Sequence, residues 1–186
     1  MGKTEIIISG VGGQGCVSGG NTLAYAASVY DGHEALMASA YGSEARGTFT
    51  KSEVIISDWN ISFINCLEPD FVVAMDPISY KHYVNDLKTG VKFIYDADAV
   101  IPTECKADQI GYPLTSLALE SGNISNINSV VLGILVTIAG VATPASVEKC
   151  IREKFHSKPD VAESNVTAFN IGLHAKPKSR GCGAEN

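Results

Sequence analysis

Two short stretches of this sequence combine residue types that could handle an anion. The first is Gly10-Val-Gly-Gly-Gln-Gly15, in which Gly10, Gly12 and Gly15 satisfy the pattern G-x-G-x-x-G. Glycines at such a turn let the backbone reverse tightly and let a charged group approach the exposed N–H donors. A helix starting just after it adds a partial positive charge at the same place. Gly13 and Gln14 complete the loop, and the Gln14 amide supplies a donor and an acceptor that a bare turn does not require. The second stretch is Tyr41-Gly42-Ser43-Glu44-Ala45-Arg46-Gly47. Arg46 suits a two-pronged grip on carboxylate or phosphate. Glu44 and Arg46 could pair with each other, with another chain or with a phosphate. As a solvated pair they would be worth under about 1 kcal/mol.

The remaining chemistry-bearing residues form no constellation. A dinucleotide site wants an acid at the end of the second strand, about 20 residues past the glycines. Here that strand ends in Ala38-Ser39-Ala40, and Asp31 and Glu34 come too early. A stand-alone NAD(P)-linked oxidoreductase therefore stays open only as an alternative, beside a non-catalytic interaction domain whose glycine turn packs on a partner. The four histidines, His33, His82, His156 and His174, are scattered, and no Ser/His/Asp ordering suggests a triad. The five cysteines, Cys16, Cys66, Cys105, Cys150 and Cys182, are odd in number and contain no C-x-x-C pair. Neither a cluster nor a zinc site is readable from them, and free thiols fit a reducing cytoplasm. No catalytic residue and no metal ligand is expected in this chain. Cys16, at a helix start, reads as buried packing, with redox sensing as the minor case.

The elements that must position these loops follow from hydrophobic patterning. Glu5–Ser9, with three consecutive isoleucines, reads as a strand buried on both faces. A helix from Cys16 to about Val29 and a second strand near 35–39 flank the two loops. Thr48–Ser57 partly alternates and reads as a strand, with a hairpin expected through Asp58-Trp59-Asn60. Further strands are expected at 71–75, 91–95 and 109–112, with a helix from Pro77 through Leu87. From Ile127 the apolar residues Val130, Val131, Ile134, Ile138 and Val141 recur at helical spacing. Helices from Pro144 and from Asp160 to about Ala175 complete the chain. The expectation is a three-layer α/β/α sandwich with a mixed, mostly parallel sheet, a Rossmann-like opening and a helical C-terminal third. Residues 1–175 are expected to form one domain and 176–186 a flexible polar tail. If the first two strands are neighbours, the two loops share one edge of the sheet.

Bulk properties narrow the partners. A chain of 186 residues can bury about 70% of its extended surface, enough for a full core. Hydrophobic residues make up 45% and charged residues 18%, below the usual charged share of about 25%. That shortage suggests surface covered by another subunit. The net charge of −6 argues against a phosphate-backbone partner, so no nucleic acid is expected. The longest near-continuous apolar run, Val130–Ala142, is too short for a bilayer core of about 30 Å. No charged n-region precedes a cleavable apolar stretch, so a cytoplasmic protein without a membrane partner is expected.

Together the two loops, with Gly19, resemble the gamma subunit of the 2-oxoacid:ferredoxin (acceptor) oxidoreductases, the pyruvate/2-oxoglutarate ferredoxin oxidoreductase gamma family. Pro69-Asp-Phe-Val-Val-Ala74, Asn128 ahead of Val130-Val-Leu-Gly133, and Asn165-Val-Thr-Ala-Phe-Asn170 carry the likeness across the chain. Ser43, Ala45 and Thr48 depart from it, standing where the family commonly has Pro, Met and Gly. The resemblance implies a complex that converts a 2-oxoacid, coenzyme A and oxidised ferredoxin to an acyl-CoA, CO₂ and reduced ferredoxin. It implies that thiamine diphosphate, Mg and iron–sulfur clusters sit in partner subunits, with no cofactor in this chain and coenzyme A as cosubstrate. The implied partners are the alpha, beta and ferredoxin-like delta subunits, with ferredoxin or flavodoxin as acceptor. Gly10, Gly12, Gly13, Gln14 and Gly15 with Tyr41, Gly42, Glu44, Arg46 and Gly47 are then the surface facing the active core. 2-Oxoglutarate is favoured, with pyruvate and branched-chain acids open. A chain deprived of its partners is expected to self-associate as a homodimer through the same apolar surface.

Overall fold

A computed structural model of the chain describes residues 2–41 and 49–178. Six strands are present: β1 (Thr4–Val11), β2 (Glu34–Tyr41), β3 (Phe49–Ser57), β4 (Phe71–Ala74), β5 (Lys92–Asp96) and β6 (Asp108–Tyr112). They form one sheet in the order β2-β3-β1-β4-β5-β6. β1, β4, β5 and β6 run parallel, whereas β3 lies antiparallel between β1 and β2. The sheet is therefore mixed and mostly parallel, as patterning and resemblance implied.

The isoleucines of β1 feed both faces. Ile6 and Ile8 join a large core with α1 (Cys16–Tyr25), α3 (Leu114–Glu120), α4 (Ile127–Ala139), α5 (Pro144–Lys154) and α6 (Pro159–Leu173). Ile7 joins a smaller core on the opposite face with α2 (Pro77–Tyr83) and residues of the 97–107 segment. The sandwich has its three layers, but they are unequal.

The helical third is locked by direct backbone contact. A Cβ built on Gly133 would lie 2.2 Å from the Phe169 carbonyl oxygen, and one on Gly172 would lie 2.2 Å from that of Val130. Only glycine at both crossing points lets α4 and α6 touch this closely. Thr137 Oγ1 spans the seam, donating within reach of both Gly133 O and Leu173 O at 3.1 Å. Ser129 Oγ donates to Asn165 Oδ1 at 2.8 Å in the same buried seam. The small residues of α4 thus serve packing inside the chain.

Several sequence expectations need correction. β1 and β2 are not neighbours, because β3 inserts between them. The hairpin is not at Asp58–Asn60. β2 and β3 pair with each other across residues 42–48, and the 58–70 segment leads instead to β4, which pairs with β1. That segment is fastened by the Cys66 N–H donating to Glu53 (3.0 Å) and the Glu68 N–H donating to buried Glu5 (2.9 Å). Trp59 and Phe63, in this segment, are exposed. The first helix becomes a π-helical turn over Ala26–Tyr30, and the helix from Pro77 stops at Tyr83 rather than Leu87. α3 has no sequence signal. Its first turn is capped from a distance, by Asp96 accepting from Thr115 Oγ1 (2.6 Å) and Asp98 accepting from Ser116 N–H (2.8 Å).

Candidate docking edge

β1 ends at Val11 and the chain must turn at once to start α1. Two residues in the turn have left-handed φ, +102° at Gly13 and +77° at Gly15. That region costs an L side chain roughly 1–2 kcal/mol, so glycine is the residue type the turn requires. Gln14 then folds back over the loop. Its Oε1 accepts from the Val11 N–H at 2.9 Å, and its Nε2 donates to the Met75 carbonyl at 3.1 Å. A Cβ on Gly10 would meet that Oε1 at 2.4 Å, so the glycine is what leaves room for the side-chain staple. The sequence reading gave Gln14 an outward polar role, but both ends of its amide are engaged inside the protein.

The underside of the loop rests on Asn128, near the start of α4. Its Nδ2 lies 3.4 Å from Gly15 O and only 2.3 Å from where a Gly15 Cβ would stand. Asn128 was not singled out as a site residue, and an Asn beside an apolar helix reads as an ordinary cap. Only the packing of α4 on α1 brings it to a loop 113 positions away. Gly12 and Gly13 remain exposed at the crest. A rigid turn with a free crest, followed by a helix N-terminus, can present backbone N–H donors to an anion or to an acceptor on another chain.

Cys16, the first helical residue, is 2% exposed. Burial pushes its thiol up to about 12, against the lowering that a helix start would give an exposed thiol. It behaves as core.

Register places the second loop. Val11 pairs with Phe49, and Tyr41 pairs with Thr50. Because β3 is antiparallel to both neighbours, β1 and β2 point the same way, and both residues flanking the 42–48 segment stand on the edge that carries the glycine loop. Gly42, Glu44, Arg46 and Gly47 lie outside the described residues, as do 179–186 with Cys182. Beside the segment's end, Phe49 packs in tilted contact against exposed His82 of α2, ring centroids 4.2 Å apart, and against Tyr83 at 6.0 Å. His82 reads as an isolated surface histidine in sequence; α2 carries it to this edge because Asp76 caps the helix at the end of β4. The Asp76 Oδ1 accepts from the Ile78 N–H (2.7 Å) and the Ser79 N–H (3.1 Å). Among the described residues, no three His, Cys, Asp or Glu side chains gather as a metal site. No single described helix is long and apolar enough to cross a membrane.

The chain as a whole is similar to known proteins. Residues 5–175 match the family described as pyruvate ferredoxin/flavodoxin oxidoreductase. The chain is 36% identical over 178 residues to the 2-oxoglutarate synthase subunit KorC of Methanothermobacter thermautotrophicus, covering 91% of this chain and 93% of that protein. Among solved structures it is similar to the keto/oxoacid ferredoxin oxidoreductase gamma subunit from Geobacter sulfurreducens, at 31% identity and TM-score 0.76, covering 95% of this chain and 100% of that one. It also shares the fold of part of the 2-oxoglutarate:ferredoxin oxidoreductase from Magnetococcus marinus, solved with 2-oxoglutarate, coenzyme A and succinyl-CoA bound. That likeness is 23% identical with TM-score 0.86, and spans 93% of this chain but 31% of the larger one. A glycine turn stapled by its own glutamine, in a chain matched over nearly its whole length, has one consistent reading: the protein belongs to the pyruvate ferredoxin/flavodoxin oxidoreductase family and is a gamma subunit of a multi-subunit 2-oxoacid:ferredoxin oxidoreductase.

Proposed function

We propose that this gamma subunit serves a cytoplasmic 2-oxoglutarate:ferredoxin oxidoreductase, and that its docking edge faces the subunits that hold thiamine diphosphate, Mg and the iron–sulfur clusters. Those partners are the alpha, beta and ferredoxin-like delta chains, with ferredoxin or flavodoxin receiving the electrons. Residues 1–175 act as one docking unit. The thiamine ring supplies the carbanion chemistry from its own subunit, and coenzyme A receives the acyl group. This chain's part is to bind and orient. The crest N–H groups of Gly12 and Gly13 and the Arg46 guanidinium would offer donors to an anionic group on coenzyme A or on a partner side chain, with Glu44 the acid of the same sequence motif. Gly10, Gln14 and Gly15 hold the crest in shape.

The observation that supports this most is the strand register. It sets the anchors of both loops, Val11 and Tyr41, at one end of the sheet across a single intervening strand. The choice of 2-oxoglutarate is supported by the kinship with a 2-oxoglutarate synthase subunit.

The test uses the reconstituted holoenzyme. Arg46→Ala is expected to lower kcat/KM for coenzyme A about tenfold, the loss of one charge-assisted hydrogen bond. Unchanged turnover together with unchanged coenzyme A saturation removes the loop's role. A panel of 2-oxoacids on the native complex is expected to favour 2-oxoglutarate, and a preference for pyruvate or a branched-chain acid overturns the substrate assignment.

A further inference from the structure

The two lateral edges of the sheet are finished differently. At β6 the segment after α6 crosses the edge: the Lys178 N–H donates to Gly111 O at 2.8 Å, and Lys178 Nζ bonds Asp98 at 2.6 Å. Asp108 of this strand also pairs with Lys92 of β5. At the other side, β2 has no strand beyond it among the described residues. Its sequence, Glu-Ala-Leu-Met-Ala-Ser-Ala-Tyr, holds one charge, at Glu34. Edge strands are usually blunted by lysines, prolines or bulges, because a long bare edge recruits another strand. Both faces beside β2 are also incompletely covered. Leu36 is 37% exposed on the α2 face, while Tyr25 (50%) and Val29 (52%) are exposed on the face covered by α1. Between α1, α5 and β2 lies an open cleft of about 650 Å³, with Ala35, Met37 and Tyr25 in its wall.

We propose that β2 pairs antiparallel with β2 of a second copy of this chain, about a twofold axis through Met37, to give one sheet continuous across both copies. The sheet supplies the reasons, and they do not depend on the reading of the docking edge. An axis normal to the sheet keeps each face continuous, so paired residues must share a face. With Met37 opposite its own symmetry mate, Leu36 meets Ala38, Ala35 meets Ser39, and Glu34 meets Ala40. Within residues 34–40 the large side chains off the axis, Glu34 and Leu36, each face an alanine. Charge is matched as well. Within one copy Ala40 pairs with Lys51 of β3, so Glu34 of the other copy lies two strands, about 10 Å, from that lysine with only a methyl between. The extended Glu and Lys side chains can close that gap, and Lys51 is already oriented on this face by Glu53. The cleft then lies at the axis, where side chains from both copies fill its mouth. An isologous contact of this kind is the commonest form of self-association.

The experiment is sedimentation equilibrium on the full chain, with a partner-free sample so that no other subunit competes. Wild type is expected to reach a dimer. Leu36→Lys sets two cations diagonally across the axis and is expected to raise the dissociation constant about tenfold or more, with an unchanged circular dichroism spectrum showing that the fold is intact. Glu34→Lys is expected to weaken the dimer less. Met37→Cys is expected to form an intermolecular disulfide under mild oxidation, beyond any seen in wild type, because paired Cβ atoms in an antiparallel ladder stand about 5 Å apart. A monomer at every concentration overturns the proposal. So does a dimer that Leu36→Lys leaves intact, since that dimer uses another face.

Discussion

Glycine does two different jobs in two parts of this protein. In the seam between α4 and α6, Gly133 and Gly172 are buried among backbone atoms of the opposing helix, and what matters is the volume they lack. In the loop after β1, Gly13 has open space around it and Gly15 meets only the Asn128 side chain; there what matters is left-handed φ and an uncovered backbone. The seam cannot yield without separating two helices. The loop can change and leave the core standing. One residue type therefore serves close packing in one place and backbone conformation in the other, and sequence alone does not say which.

The contrast can be broken most severely at the seam. Gly133→Val must force α4 from α6, and is expected to cost about 3 kcal/mol or more, the upper range for overpacking. Denaturant midpoints of the isolated chain measure it; a loss under about 1 kcal/mol would mean the seam adapts. Gly15→Ala is expected to cost about 2 kcal/mol, from strained φ plus the clash with Asn128. Adding Asn128→Ala in the same chain should relieve the clash but leave about 1 kcal/mol of backbone strain. Complete recovery in the double variant would show that space, as in the seam, and not φ governs the loop. The smallest effect on stability is expected from Gln14→Ala, which leaves the Val11 N–H without its partner at about 1–2 kcal/mol. Turnover of the reconstituted complex should fall further than that loss of stability would cause. Equal thermal stability and equal turnover would show that the staple is idle.

How much of this was legible beforehand depended on the range of the interactions. The three isoleucines of β1, the glycine turn and the periodic apolar residues of α4 follow from local spacing, so they could be read directly. Pro77 and Pro144 marked helix starts because proline fixes φ and lacks an N–H. The short α3 could not be read, because Asp96 and Asp98 cap it from the end of another strand. Nor could the placement of β2. Its spacing says strand, but whether it joins β1 or is displaced by β3 depends on pairings between distant segments.

The same division holds for the docking edge. Sequence by itself determined that a glycine turn precedes a helix and, through resemblance, the family. Only the tertiary structure decided that Gln14 turns inward to Met75, that Asn128 supports the loop from below, and that Val11 and Tyr41 stand at one end of the sheet despite β3 lying between their strands. Those facts rest on contacts between residues far apart in the chain, whose geometry is fixed only when the sheet order and the packing of α4 on α1 are set together.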